Sequence, residues 1–218
     1  MKRFDAVLLD LYDTLAWAPR ERYFGHATQE ALGIDAELFR EAMARTRPDR
    51  GVGAYATQEA ELAAVLEVVG VEVDEGSLRR LAAVDEREWV EAVRLFDDVP
   101  ACLQRLRADG LRTALVSNCS RQTDAVVKGL RLDRSLDATV LSFAERSRKP
   151  QEGIYRAALA ALQVPADRAL FVDDVAEYLH GATALGIETV QIVRPGLQRR
   201  PGTHPRIGSL EELVPLLD

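Results

Sequence analysis

Four short stretches of the chain concentrate side chains that can do chemistry. DLYDTL places Asp10 and Asp13 at the exit of the apolar run AVLL, with Tyr12 between them. LVSN ends in Ser117 and Asn118, RKP presents Lys149, and FVDD ends in Asp173 and Asp174. Carboxylates drawn from separate stretches can hold Mg²⁺, a hard cation that takes oxygen ligands and often keeps several waters. A carboxylate can also act as a nucleophile, splitting one hard displacement into two easier ones through an acyl-phosphate. Ser117 and backbone amides can hydrogen-bond a phosphoryl oxygen. Lys149 can neutralise charge on the nucleophile and on the transferring group.

Such a set works only if regular elements bring it to one place. FDAVLLD reads as a short apolar strand that ends at Asp10. From about residue 19 to 93 the pattern is helix after helix. Pro19 suits a first helical position, with RERYFGHATQEAL running on to Gly33. DAELFREAMART has Asp35 as its N-cap and ends before Pro48, and an Arg- and Gly-rich loop follows. TQEAELAAVLEVVG and SLRRLAAVDEREWVEAV are two more amphipathic helices. The segment therefore reads as a small helical bundle inserted after the first strand, with no strand of its own.

Beyond Leu95 the rhythm alternates. VPACLQRLRADG is a helix closed by Gly110, LRTALVSN a strand, RQTDAVVKGLRL a helix and DATVLSF a strand. PQEGIYRAALAALQV, RALFVDD, VAEYLHGATALG and ETVQIV continue the alternation. A turn-rich tail leads to a last helix, SLEELVPLL. Continuous apolar strands joined through helices predict an α/β fold, a parallel sheet covered on both faces. Ligands of such sheets sit beyond the carboxyl ends of the strands, where three of the four stretches end, while Lys149 lies just before a helix.

At 218 residues the chain fits one large domain, or a core with a smaller insert. A hydrophobic content of 47% with 29% charged residues is an ordinary globular balance. The net charge of −7 argues against nucleic acid as the main partner, local basic clusters such as RPDR notwithstanding. Cys102 and Cys119 form no metal-binding pattern and read as reduced thiols. No apolar run is long enough for a membrane helix, and Asp5 and Asp10 interrupt any signal-peptide layout. The expected setting is the cytoplasm, with no membrane partner.

DLYDTL, LVSN, RKP and FVDD, in that order, resemble the four motifs of the haloacid dehalogenase superfamily of hydrolases. The likeness covers nearly the whole chain, since the helical insert resembles that family's C1 cap. It implies a Rossmann-like α/β core over residues 1–15 and 95–218, and an all-helical cap over 16–94. It further implies that Asp10 is the nucleophile and a metal ligand. The backbone carbonyl of Tyr12 and Asp174, with Asp173 beside it, would complete the protein's share of a Mg²⁺ site. Thr14, Ser117 and Asn118 would hold the phosphoryl group, and Lys149 would be the third-motif lysine. Most such enzymes are phosphatases acting on small phosphorylated metabolites, as monomers or homodimers.

One position departs from the phosphatase pattern. There the acid/base aspartate stands two residues after the nucleophile and is worth ~10²–10⁴-fold in rate. Here that position is Tyr12, and Asp13 is one residue too far, on the other side of an extended backbone. Asp-x-Tyr-x-Thr-Leu is instead similar to the 2-haloacid dehalogenases, which displace halide from carbon and need no leaving-group proton. The FVDD motif pulls back toward a metal site, because those dehalogenases carry a serine and asparagine pattern there. The expectation is a Mg²⁺-dependent phosphatase working through an aspartyl-phosphate. A dehalogenase-like hydrolase and a silent or slow phospho-ligand-binding member are the alternatives. Arg20, Arg45, Arg47 and Arg50 are placed to reach an anionic substrate from the cap, although each alone reads as a solvated arginine. His26 reads as a surface or packing residue.

Overall fold

The computed structural model describes residues 3–19, 21–197 and 202–217. The chain opens with β1 (Ala6–Leu9) and a two-residue β2 (Ala16–Trp17). Four helices follow: α1 (His26–Ala31), α2 (Ala36–Gly51), α3 (Gln58–Val69) and α4 (Glu75–Ala92). A short β3 (Arg94–Leu95) pairs antiparallel with β2 and closes this helical layer at its root. Alternation then begins with α5 (Val99–Ala108), β4 (Arg112–Ser117), α6 (Thr123–Gly129) and α7 (Leu132–Ser135). It continues through β5 (Ala138–Leu141), α8 (Ser142–Glu145), α9 (Glu152–Leu162) and β6 (Ala169–Asp173). The last elements are α10 (Ala176–Thr183), β7 (Glu188–Ile192), β8 (Arg206–Ile207) and two 3₁₀ turns, Leu210–Glu212 and Val214–Leu216.

Among the described residues one parallel sheet has the order β5-β4-β1-β6-β7-β8. The strands are apolar throughout because both faces are covered. Val7 and Leu9 point to one face, into a core completed by Val99, Leu103 and Leu106 of α5 and by Val126 and Val127 of α6. Ala6 and Leu8 point to the other, against Ile154, Tyr155 and Ala158 of α9 and Leu179 of α10. Leu8 and Leu9 are wholly buried, each contributing about 1.5–3 kcal/mol of transfer free energy. The helical layer has a separate core of Phe39, Leu62, Val65 and Leu66. No helix among the described residues is long and apolar enough to cross a membrane.

The helical layer uses the caps expected of it. Asp35 accepts from Glu37 and Leu38, Thr57 from Ala60, and Asp74 from Ser77, each through the backbone N–H. Asp85 of α4 is buried and accepts from both the backbone N–H and the hydroxyl of Thr28, tying α1 to α4.

Several element boundaries differ from expectation, for identifiable reasons. The first helix does not start at Pro19. It begins at His26, after Gly25 takes a left-handed φ of 90°. A Cβ on Gly25 would meet the Phe39 ring at 2.7 Å, so packing sets this start. Helix α2 does not stop before Pro48 but runs through it to Gly51. An interior proline loses one hydrogen bond and costs about 3 kcal/mol. Offsetting contacts come from Arg50, which donates to Thr46 Oγ1 and the Met43 carbonyl, and from Ser142, which donates to the Gly51 carbonyl. The strand expected to run through Phe143 ends at Leu141, and α8 begins at once. The expected last helix is two 3₁₀ turns, the second containing Pro215. The β2–β3 ribbon and β8 are additions, each only two residues long.

Candidate active site

The central strand decides where Asp10 stands. Leu9 is in register with Leu115 of β4 and Val172 of β6, so Asp10 emerges between those two strands at their carboxyl ends. Its N–H still donates to the Val172 carbonyl at 3.0 Å, which keeps the residue tied to the sheet. Immediately afterward the chain doubles back. The N–H groups of Thr14, Leu15 and Ala16 all converge on the Leu11 carbonyl, and Asp13 adopts a left-handed φ of 61°. Aspartate tolerates that conformation better than most residues. Arg194, 4% exposed, clamps the loop from beneath by donating to the Thr14 carbonyl through Nε and Nη2. Its remaining arm pairs with Asp98 at 2.6 Å, and its guanidinium lies over the Phe96 ring.

Lys149 reaches the same point from the loop between α8 and α9. Its ammonium donates to Asp10 Oδ1 at 2.5 Å, to Asp173 Oδ2 at 2.6 Å and to the Val116 carbonyl at 2.9 Å. All three ammonium protons are thus engaged by groups from three neighbouring strands. The residue is wholly buried, between the rings of Phe171 and Tyr178. Burial by itself pulls an ammonium pKa down. The charges of Asp10 and Asp173 outweigh it, so Lys149 stays charged well above the ordinary lysine range. Asn118 fixes the approach, its amide donating to the Lys149 carbonyl and accepting from the Lys149 N–H at 2.8 and 2.7 Å.

Asp173 closes the cluster at the end of β6. Its second oxygen accepts from the Val175 N–H at 2.8 Å. Burial, reinforced by Asp10 and Asp174, pushes its carboxyl upward against the pull of Lys149. Asp10, Asp173 and Asp174 are all buried and offer carboxylate oxygens within 4.8 Å of one another. Gln191 of β7 steadies this corner by donating to the Asp174 carbonyl.

Next to this cluster, which forms the floor of the site, lies a cavity of about 480 Å³ between the core and the helical layer. It meets the cluster through Tyr12, Asn118 and Tyr178; the four cluster residues themselves are not part of its lining. Tyr12, Asn118, Cys119 and Ser142 face it from the core, and Met43, Arg47, Arg50 and Trp89 from the helices. The Tyr12 hydroxyl accepts from Trp89 Nε1 at 3.1 Å and lies 3.4 Å from Thr123 Oγ1. Burial pushes its phenol up to about 12, so it holds its proton at neutral pH. Burial likewise pushes the Cys119 thiol up to about 12, and it lines the cavity as a neutral group.

The structure brings Asp10, Lys149, Asp173 and Asp174 into one cluster and sets Ser117, 1% exposed, at the end of β4 beside it. The Thr14 hydroxyl is buried and has no hydrogen-bond partner among the described residues. Asn118 is engaged with the Lys149 backbone, a positioning contact. Among the arginines, Arg47 and Arg50 face the cavity and Arg45 faces a separate cleft with Asp49 and Tyr55. Arg20 lies outside the described residues. Sequence reasoning missed Arg194, because a lone arginine after a strand carries no local signal of a partner some 180 residues away. It also missed the pairing of Tyr12 with Trp89.

A family model for haloacid dehalogenase-like hydrolases matches residues 4–186, and the chain belongs to that family. It is 27% identical over 198 residues to enolase-phosphatase E1 of Sorangium cellulosum, covering 87% of this chain and 83% of that one. It is 33% identical over 127 residues to (S)-2-haloacid dehalogenase 4A of Burkholderia cepacia, covering 56% of this chain and 54% of that protein. The fold is that of a 2-haloacid dehalogenase from Pseudomonas syringae pv. tomato DC3000, with a TM-score of 0.76, 20% identity and 98% of both chains covered. The protein is therefore a hydrolase with the α/β fold of this family.

Proposed function

We propose that the protein is a Mg²⁺-dependent phosphatase that forms an aspartyl-phosphate at Asp10, with the helical layer over residues 16–94 acting as its cap. The observation that carries this reading is the charge balance of the floor. Three buried carboxylates face one ammonium, and their oxygen-only donor set suits a hard divalent cation. Asp10, Asp174 and the Tyr12 carbonyl would hold Mg²⁺, with Asp173 beside them anchored to Lys149 and the Val175 N–H. When bound, the ion supplies positive charge that lets an anionic phosphate meet an anionic nucleophile.

Lys149 occupies Asp10 Oδ1, leaving Oδ2 to attack phosphorus. The new Oδ2–P bond forms as the ester P–O bond breaks, and the departing oxygen takes its proton from water. A second water then attacks phosphorus, the acyl-phosphate P–O bond breaks, and inorganic phosphate leaves Asp10 as it began. Ser117 and Thr14 are assigned the phosphoryl oxygens, and the unpartnered Thr14 hydroxyl supports that assignment. Tyr12 does not serve as acid or base, given its raised phenol and its bonds to the cap and α6. Substrates with good leaving groups, such as acyl or sugar-1-phosphates, fit a site without that acid.

Tyr12 and the likeness to a haloacid dehalogenase favour a second reading, attack of Asp10 on carbon with release of halide. Turnover in heavy-oxygen water separates the two. Hydrolysis of an aspartyl-phosphate puts the label in phosphate and none in the protein, whereas hydrolysis of a carbon ester puts it in the Asp10 carboxylate. A third outcome, phosphate binding with no turnover that Tyr12→Asp does not restore, marks a silent member.

A further inference from the structure

The wall of the cavity built by the helical layer, its roof, carries positive charge next to the acidic cluster. Arg50 is 5% exposed, yet among the described residues its guanidinium donates only to neutral oxygens: Thr46 Oγ1, Ser120 Oγ and the Met43 carbonyl. A buried charge with neutral partners is costly, and an anion brought into contact with it recovers that cost. Arg47 lies one helical turn before Arg50 and lines the same cavity, as does Arg148 from the core loop beside Lys149. The carboxylate whose field reaches Arg50 is Glu61 of α3, and it is shared with Arg121, 3.9 Å away. Burial pushes Glu61 up to about 7, which weakens even that counter-charge near neutrality. Desolvation also lowers the Arg50 guanidinium from its usual value.

Ser120 anchors the arrangement. It accepts from Arg50 and donates to Gln122 Oε1 at 2.7 Å, so a chain of side-chain bonds holds the guanidinium across the gap between helical layer and core. Arg50 is a built feature of the cavity wall. The volume of about 480 Å³ lies within the ~300–1,000 Å³ range of small-molecule sites.

We propose that the roof is an anion subsite in which Arg50, assisted by Arg47 and Arg148, binds a second acidic group on the part of the substrate that is not transferred. The substrate class is then a phosphate ester that also bears a carboxylate or a second phosphate. This rests on the phosphatase reading of the floor and adds a specificity that the floor alone does not supply. Arginine suits the role because its planar fork matches both oxyanions.

The test compares three matched series of equal spacer length in Mg²⁺: hydroxyalkyl, carboxyalkyl and phosphonoalkyl phosphates. At the spacer that spans the cavity, the proposal expects a KM lower by ten-fold or more for one acidic series over the hydroxyl series. The favoured series says whether a carboxylate or a phosphate is the natural group. Arg50→Gln and, independently, Arg47→Gln should bring that KM ratio toward one. Arg47 is exposed, so its variant carries the test where Arg50→Gln does not fold. Calorimetry with non-hydrolysable carboxyalkyl and diphosphonate analogues reads the subsite without turnover, which separates its failure from failure of the phosphatase reading. Equal KM across the three series, or acidic analogues that bind Arg50→Gln and Arg47→Gln as tightly as the native protein, overturns the proposal.

Discussion

At the floor of the site, formed by the strand ends beside the cavity, Lys149 binds oxygens of Asp10, Asp173 and Val116 within 2.9 Å, so one cation meets two buried carboxylates. At the roof, Arg50 is almost as deeply buried, but its bonds run to a hydroxyl of its own helix, a helix carbonyl and a serine across the gap. The floor is over-supplied with negative charge and the roof with positive charge. The floor carboxylates Asp10 and Asp173 leave adjacent parallel strands whose register fixes them relative to one another, and Asn118 holds the Lys149 backbone beside them. The seam between roof and core includes Tyr12 with Trp89, Arg50 with Ser120, Ser142 with the Gly51 carbonyl, and Arg121 with Glu61 and the Tyr55 carbonyl. On the proposed reading the two regions divide the work: strand ends would perform the reaction, and the helices would select what reaches them.

Substitutions at the floor carry the largest expected effects. Asp10→Asn removes the proposed nucleophile while keeping its shape, and kcat should fall by at least ~10³-fold with the fold intact by circular dichroism. Retained activity would sink the nucleophile assignment. Lys149→Met leaves Asp10 and Asp173 buried without their cation. Denaturant unfolding should show a loss of about 3–5 kcal/mol, and kcat on the remaining folded protein should drop by ~10²–10³-fold.

Roof substitutions should be milder and show in pH or in cap attachment. Glu61 has a folded-state pKa of about 7 against an ordinary value of 4.5, raised by burial, with Arg50, Arg121 and Tyr55 as its charged or titratable neighbours. A carboxyl raised in this way favours the fold when protonated. Its contribution is complete below about pH 4.5 and lost as pH rises through about 7. Screening at the seam limits that loss to about 1–2 kcal/mol. Melting temperatures across this interval should therefore fall less steeply with pH in Glu61→Gln than in the native protein. Parallel profiles would mean that Arg50 and Arg121 already keep Glu61 ionised. The smallest effect belongs to Tyr12→Phe, which loses the bond from Trp89. Stability should drop by about 1 kcal/mol, with kcat on aryl phosphates within a few-fold of native. A collapse of kcat would show that the phenol takes part in proton transfer after all.

The same division governs what could be read from sequence. Asp10, Ser117 and Asp173 were legible because apolar runs deliver them to strand ends, and a parallel sheet gathers such ends on one edge. Lys149 was legible only through the order of the four motifs, since a basic loop by itself carries no such signal. At the roof, periodicity located the helices but not their boundaries. Pro48 was expected to end a helix that tertiary bonds from Arg50 and Ser142 carry through it. The burial of Arg50, the Tyr12–Trp89 contact and the Arg194 clamp each join residues far apart in the chain. Helical packing, unlike strand pairing, leaves no short-range pattern for such partners.

The central claim is that Asp10 attacks phosphorus in a site completed by a divalent cation. The most direct measurement incubates the protein with an acyl phosphate and Mg²⁺, quenches it in acid and maps its peptides by mass spectrometry. The account predicts one added phosphoryl group on the peptide that contains Asp10, lost on treatment with hydroxylamine and absent when the metal is chelated. An Asp10 peptide that remains unmodified during measured turnover, or a phosphoryl group carried by another residue, would contradict it.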